Sequence, residues 1–292
     1  MTKKSVLLPL LGIAVVVAVP INAATSTFNF TTGSPAGSGN SNSDLSSYSV
    51  TAGGVTATAY AFYATGTNSG PGSAAANDLV GPTSSGAPQV GEYNGAGLGI
   101  CENQTSANCN SPYHQISDGN NGSGTTDDYE FMLIQFSTAV NLSQIQLGNW
   151  GTNGTNTNPF GVTYYTSSSA SNLSSIESSL ETSTVGGITG DGFTAQAAPT
   201  CLTGVAALGG GTNGSGSYND NCSVNGNGVE NLSGTAVTYL LIGASTSGAG
   251  SDYFKIQDLK FSLTATPEPA TFGLIGFALA GLGLIARKRK QN

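Results

Sequence analysis

Histidine, the side chain most often used for acid–base and nucleophilic catalysis, occurs once in this chain, as His114. Any Ser-His-Asp or Cys-His arrangement would have to include it, and no Gly-x-Ser-x-Gly motif accompanies it. A zinc site of the usual kind needs several His or Cys ligands, and no CxxC pair occurs. Because His114 lies in a turn between Pro112 and Asp118, we expect it to have a structural role.

Three carboxylates, Asp127, Asp128 and Glu130, are close enough in sequence to be considered for glycoside hydrolysis. In a strand, Asp128 and Glu130 would share one face and Asp127 would point to the other. Proximity in sequence does not supply the separation across a cleft that this chemistry needs. We therefore expect solvated or cation-binding carboxylates at a loop end, and no enzyme.

Oxygen ligands of the kind that calcium prefers are concentrated between residues 118 and 128. The candidate ligands are Asp118, Asn120, Asp127 and Asp128. Their spacing is not that of an EF-hand, and the alternative is a hydrated turn rich in Asn and Gly. Calcium is thus the one candidate cofactor, and the sequence requires none.

Charge is scarce and unevenly distributed along the 292 residues. Charged residues make up 8% of the chain, against roughly 25% in an ordinary soluble domain. Six of the eight basic residues lie at the two ends, as Lys3, Lys4, Arg287, Lys288, Arg289 and Lys290. The acidic interior would repel phosphate backbones, which argues against nucleic-acid binding.

The N-terminus has the three parts of a secretory signal peptide. Lys3 and Lys4 are followed by an apolar stretch from Val6 to Val19 and by a small residue, Ala23, at the expected cleavage point. We predict a signal peptide at residues 1–23 and export by the Sec machinery. Cleavage one residue later and a retained N-terminal anchor are the alternatives.

The C-terminus also has three parts in a fixed order. The stiff tripeptide Pro267, Glu268, Pro269 precedes an uncharged apolar run at residues 270–286, which is about the minimum length for a membrane-spanning helix. The basic cluster Arg287, Lys288, Arg289, Lys290 follows and would stay cytoplasmic.

This tail, residues 267–292, resembles the PEP-CTERM sorting signal of Gram-negative bacteria. The resemblance implies processing by exosortase, a membrane-embedded cysteine transpeptidase-like enzyme, with recognition at Pro267–Pro269 and removal of the helix. It also implies attachment to, or release into, an extracellular polymer matrix after transient anchoring in the inner membrane. The alternative is an ordinary tail anchor in which the tripeptide is only a linker.

In an exported protein, an even number of cysteines favours disulfide bonds. The four cysteines form two local pairs in sequence, Cys101 with Cys109 and Cys201 with Cys222. Local pairing is the simplest of three connectivities. Four free thiols are the alternative.

Residues 24–266 are predicted to form one all-β domain, because short apolar or alternating runs are separated by Gly, Asn and Ser clusters. The run from Tyr129 to Phe136 is apolar on both faces, as in a central strand, and the next run, Val140 to Leu147, changes face midway, as at a bulge. The other predicted strands are 27–30, 54–64, 160–166, 236–244 and 253–263. Leu173, Ile176 and Leu180 predict one short helix capped by Asn172. We expect a single β-sandwich of jelly-roll type.

Part of this domain, from Leu98 to Trp150, looks more loosely like the globular region of some exosortase-dependent surface proteins, which carries no known activity. We expect a non-enzymatic structural or adhesive protein of the cell surface or exopolysaccharide matrix. The alternatives are a carbohydrate-binding module and, ranked last, a secreted hydrolase. Aromatic side chains available for sugar stacking are Tyr60, Tyr63, Tyr93, Tyr113 and Trp150.

Overall fold

β-Strands dominate the computed structural model, which describes residues 24–31, 45–64, 79–82, 87–92, 97–101, 116–117, 129–153, 162–169, 171–197, 200–203, 226–244, 251–263 and the positions 276, 278, 279 and 281. The strands are β1 (Thr25–Asn29), β2 (Tyr48–Ala52), β3 (Val55–Ala64), β4 (Leu79–Val80), β5 (Gln89–Glu92), β6 (Leu98–Cys101), β7 (Ile116–Ser117), β8 (Tyr129–Asn153), β9 (Val162–Ser167), β10 (Thr194–Ala195), β11 (Thr200–Thr203), β12 (Gly226–Ala244) and β13 (Ser251–Leu263). Between β9 and β10 lie helix α1 (Leu173–Glu181) and a 3₁₀ helix (Val185–Asp191). All of these elements belong to one compact unit, Ala24–Thr264, and the remaining residues at both ends are grouped separately.

Within the described residues, all strands are joined by antiparallel pairing into one open sheet built around β8. The first part of β8, residues 129–136, lies between β3 and the last part of β12. Its second part, residues 140–153, lies between the first part of β12 and β13. Two long strands therefore run through both halves of the sheet.

The sheet folds over so that both halves bury side chains in one core. Met132 and Ile134 from the first half share this core with Ile145, Leu147 and Leu259 from the second half. All five are fully buried. At about 1.5–3 kcal/mol for each large apolar side chain, this shared burial is the main force that holds the halves together.

A row of phenylalanine rings joins the two halves of the sheet. Phe28 of β1 stacks on Phe261 of β13, with ring centroids 4.3 Å apart. The same ring also stacks on Phe136 of β8, with centroids 5.8 Å apart. Such pairs contribute about 0.5–1.5 kcal/mol beyond the area they bury.

The turn between β2 and β3 also contacts the opposite half. Gly53 and Gly54 have φ angles of +55° and +79°, which is the conformation that two-residue hairpins require and that glycine adopts without strain. A side chain at Gly53 would collide with Ser26 of β1 and would lie 3.6 Å from the Phe261 ring. Glycine at this position therefore lets the hairpin pack closely against β1 and β13.

A second apolar cluster covers the outer face of the first half. Ile176 and Leu180 of α1 pack there against a group that includes Leu133 of β8 and Leu241 of β12. The helix begins after Asn172, whose side chain accepts a hydrogen bond from the Ser175 backbone N–H at 2.9 Å. The predicted helix and its cap are thus confirmed.

The prediction that Tyr129–Phe136 is a central strand buried on both faces is also confirmed. Met132 and Ile134 lie in the first cluster, and Phe131 and Leu133 in the second. The predicted bulge is present as well, because the pairing of β8 with β13 changes register at Ser143, between Leu142 and Gln144.

The all-β prediction is confirmed, but the expected jelly-roll sandwich of two separate sheets is not what the strands form. Two predicted strands, 129–136 and 140–147, are one continuous strand of 25 residues, and β12 likewise extends over 19 residues. Because both strands stay paired through the bend, the layers around the core remain one hydrogen-bonded sheet.

Candidate functional site

Most site residues predicted from the sequence lie outside the described residues. This holds for the tripeptide Pro267, Glu268, Pro269, for the basic cluster 287–290, for the calcium candidates Asp118, Asn120, Asp127 and Asp128, and for His114. Of the helix predicted at 270–286, only positions 276, 278, 279 and 281 are described, and their backbone is helical. No helix among the described residues is long and apolar enough to cross a membrane.

The predicted disulfides fall only partly within the described structure. Cys101 is buried at the end of β6, and the described part of the chain contains no free cysteine. Cys201 lies in β11, while Cys109 and Cys222 lie outside the described residues. The pairings Cys101–Cys109 and Cys201–Cys222 therefore stay predictions.

Three of the carboxylates and aromatic side chains considered above, Glu130, Tyr60 and Tyr63, lie within the described residues. Tyr63 is half-buried in β3, where it lies opposite Val80 of β4 and Glu130 of β8. Glu130 is buried in β8, with 4% of its surface exposed. Tyr60 packs against the second apolar cluster, which leaves it poorly placed as an open stacking platform for sugars. Tyr93 and Tyr113 lie outside the described residues, as does the side chain of Trp150.

A row of buried polar side chains lies on β8 and β13 in the second half of the sheet. Along β13, Lys255, Gln257 and Asp258 alternate with Phe254, Ile256 and Leu259, which point into the first core cluster. The row consists of Lys255, Gln257, Asp258 and Gln146, each no more than 1% exposed, and we call it the polar row. The sequence-based prediction did not include the polar row, although the alternation of polar and apolar residues in 253–263 is visible in the sequence.

One hydrogen bond ties the polar row together across two strands. Gln146 of β8 donates from Nε2 to Oε1 of Gln257 on β13 at 2.7 Å. Gln257 lies where the pairing of β13 with β8 changes register, so the bulge brings it and Asp258 to the same face.

Burial makes two charged side chains of β13, Lys255 and Asp258, difficult to ionise. Neither carboxylate oxygen of Asp258 has a hydrogen-bond partner among the described residues, and desolvation raises the pKa of this side chain to about 6. Desolvation lowers the pKa of Lys255 to about 7, and the negative charge of Glu92 opposes that shift. The described residues include no group of three His, Cys, Asp or Glu side chains placed to hold a metal ion.

An open groove of about 380 Å³ lies where β9 and β10 meet the bend of β12. Its polar lining residues are Thr166, Ser168, Thr194, Gln196, Ser233 and Thr235. Gln196 donates from Nε2 to Thr166 Oγ1 at 2.7 Å and to the Thr194 carbonyl at 3.3 Å. We call this feature the hydroxyl groove.

Neighbouring hydrogen bonds fix both walls of the hydroxyl groove. The Tyr164 hydroxyl accepts from the Ser233 backbone N–H at 2.8 Å, and Thr238 Oγ1 donates to the Ser169 carbonyl at 2.7 Å. Ala236 has a φ of +55°, a left-handed conformation that no other described non-glycine residue adopts. The Asn141 side chain stabilises it by accepting from its backbone N–H at 2.8 Å.

The C-terminal segment of this chain is similar to a known family of protein-sorting motifs. Residues 265–290 match the PEP-CTERM protein-sorting motif. No curated protein and no solved structure matches the chain. The chain therefore carries a PEP-CTERM sorting motif at its C-terminus, which implies an exported, membrane-transiting cell-surface protein that is sorted by exosortase.

Asp258 should make the folded protein less stable as the pH rises from about 4 to about 6. The folded carboxyl titrates near 6 and the unfolded one near 4, so in this range the folded state binds more protons. We expect Asp258→Asn to raise the free energy of unfolding at pH 7.5 by at least about 1 kcal/mol, with a gain that shrinks towards pH 4. Urea unfolding at both pH values measures this.

The matched control for that measurement is Asp191→Asn. Asp191 is only partly buried and accepts a hydrogen bond from Ser179 Oγ at 2.7 Å, so its replacement should give no gain at pH 7.5. A loss of stability at pH 7.5 for Asp258→Asn would contradict the assignment, because it would mean that the ionised carboxylate is stabilised where it lies.

Proposed function

We propose that this protein has a non-enzymatic, structural or adhesive role in the exopolysaccharide layer, at the outer surface or in the extracellular matrix of a Gram-negative bacterium. The observation that carries the proposal is the sorting motif at residues 265–290, which directs an exported protein to exosortase. The cargo of that motif is the β-rich unit Ala24–Thr264.

The proposed route assigns a role to each end of the chain. The signal peptide at residues 1–23 passes to the Sec machinery and is removed. The helix at 270–286, with the basic cluster Arg287–Lys290 on its cytoplasmic side, holds the protein in the inner membrane until exosortase recognises Pro267, Glu268, Pro269. Removal of the tail then releases the domain to the surface.

The surface of the β2–β3 hairpin supports a role among hydrated polymers. Ser49 pairs with Thr58, and Thr51 pairs with Thr56, through side-chain hydrogen bonds of 2.9 Å each. These four uncharged hydroxyls lie across two paired strands, at positions that are exposed or half-buried. Such a surface can exchange hydrogen bonds with water and with neutral polysaccharides alike.

Of the two alternative functions, the carbohydrate-binding module is favoured by a specific observation, the hydroxyl groove.

A secreted hydrolase would need two carboxylates facing each other across an open cleft. Glu130, the one described member of the Asp127–Glu130 group, is buried in the central strand. The hydrolase therefore ranks last.

Calcium binding by Asp118, Asn120, Asp127 and Asp128 remains a proposal that rests on their oxygen ligands. Ligand that binds only the folded state raises the melting temperature. We expect the melting temperature of the EDTA-treated protein to rise on adding calcium and not on adding magnesium. An Asp127→Asn, Asp128→Asn double variant should lose that rise, and a wild-type protein unaffected by calcium would contradict the proposal.

Replacing the tripeptide in the native host tests the route and the destination together. We expect the Pro267→Ala, Glu268→Ala, Pro269→Ala variant to be retained in the membrane fraction and to be depleted from the extracellular matrix at least tenfold. Thr264→Ala, which lies just outside the matched motif, is the control and should reach the matrix like the wild type. Equal amounts of both variants in the matrix would overturn the proposal.

A further inference from the structure

The hydroxyl groove offers hydrogen-bonding groups that the described part of the chain does not use. The side-chain hydroxyls of Ser168, Thr194 and Thr235 make no hydrogen bond to another described residue, and all three residues are exposed. Each hydroxyl can both donate and accept. The groove therefore presents groups of mixed polarity to whatever occupies it.

Gln196 adds a fixed acceptor to this set. Its two amide N–H groups are directed inward, to Thr166 Oγ1 at 2.7 Å and to the Thr194 carbonyl at 3.3 Å. Its carbonyl oxygen Oε1 accepts no hydrogen bond from the described residues. Because the N–H groups hold the amide in place, Oε1 is oriented before a ligand arrives, which lowers the entropy lost on binding.

The walls on either side are held in place in the same way. Thr238 fixes the backbone next to Ser168, through its bond to the Ser169 carbonyl at 2.7 Å. Tyr164 fixes Ser233, two residues before Thr235, at 2.8 Å. The hydroxyls of both walls are thus carried on backbone that hydrogen bonds constrain.

The chemistry of the lining selects the class of ligand. Its described residues include neither an acidic nor a basic side chain, so an anionic or cationic group would lose its hydration without gaining a charged partner among them. Val237 is the one large apolar side chain among the described lining residues, which is too little to hold an apolar ligand. A neutral ligand with many hydroxyl groups matches mixed donors and acceptors best.

We propose that the hydroxyl groove binds a short segment of a neutral polysaccharide. The volume of about 380 Å³ lies in the range of small-ligand sites, and the open shape allows a polymer chain to pass along it. Because the described lining residues include no aromatic stacking platform, we expect weak binding, with a Kd on the order of millimolar. Many copies held in one matrix would add up to firm attachment.

This proposal rests on the adhesive role and names its ligand class, and it can be tested without exosortase. The purified full-length protein is run on native gels containing a neutral glucan, mannan, galactan or xylan, and on gels containing alginate as an anionic polymer. We expect retardation by at least one neutral polymer and none by alginate.

The variants Gln196→Ala and Thr235→Val locate the binding. Thr235 is exposed and Val has the same shape, so this variant should fold normally. We expect each variant to weaken retardation at least fivefold, while Thr25→Val, at an exposed threonine in β1, leaves it unchanged. Retardation by alginate alone, by no polymer, or to an equal extent in Gln196→Ala and wild type would overturn the proposal. None of these outcomes bears on sorting, which the tripeptide variant tests.

Discussion

The pairing of β8 with β12 is the constraint on which the rest of the structure depends. The two strands stay hydrogen-bonded from Gln146 opposite Val229 to Phe131 opposite Gly243. Three changes of register along this pairing let the strands bend without separating. Because both strands continue through the bend, the two halves of the sheet are placed against each other by covalent connection as well as by packing.

Two other features of the molecule follow from this bend. The first core cluster is enclosed because the halves meet, with the rings of Phe28, Phe136 and Phe261 filling the space between them. The hydroxyl groove exists because β12 changes direction at Gly234–Val237, where Ala236 adopts its left-handed conformation beside β9 and β10. The candidate binding site is therefore a product of the same irregularity that closes the core.

Local patterns in the sequence were sufficient to predict the helix α1 with its cap and the bulge in β8. Leu173, Ile176 and Leu180 with Asn172 predicted α1 and its cap, since helix spacing and capping involve neighbouring residues only. The change of face in Val140–Leu147 predicted the bulge at Ser143 for the same reason. The expectation of two separate sheets failed at residues 137–139, where Ser, Thr and Ala interrupt the apolar pattern and are read as a strand end, although β8 continues through them.

The candidate sites could not be predicted because their parts are distant in sequence. The hydroxyl groove combines residues near 166, 195 and 235, which only the pairing of β9 with β10 and β12 brings together. The polar row combines Gln146 with Gln257, which are distant in sequence. The residues next to each of them in the sequence do not indicate that these two side chains are buried. The sorting tail, in contrast, was recognised because its tripeptide, apolar run and basic end are contiguous.

The proposed release of the domain to the surface depends on the tail being a processing signal rather than a permanent anchor. Mass spectrometry of the protein isolated from the native host, with and without its exosortase, tests this most directly. We predict a mature chain that has lost the residues after the Pro267–Pro269 region in the wild-type host, and a chain that reaches Asn292 when exosortase is absent. A chain that ends at Asn292 in both strains would contradict it.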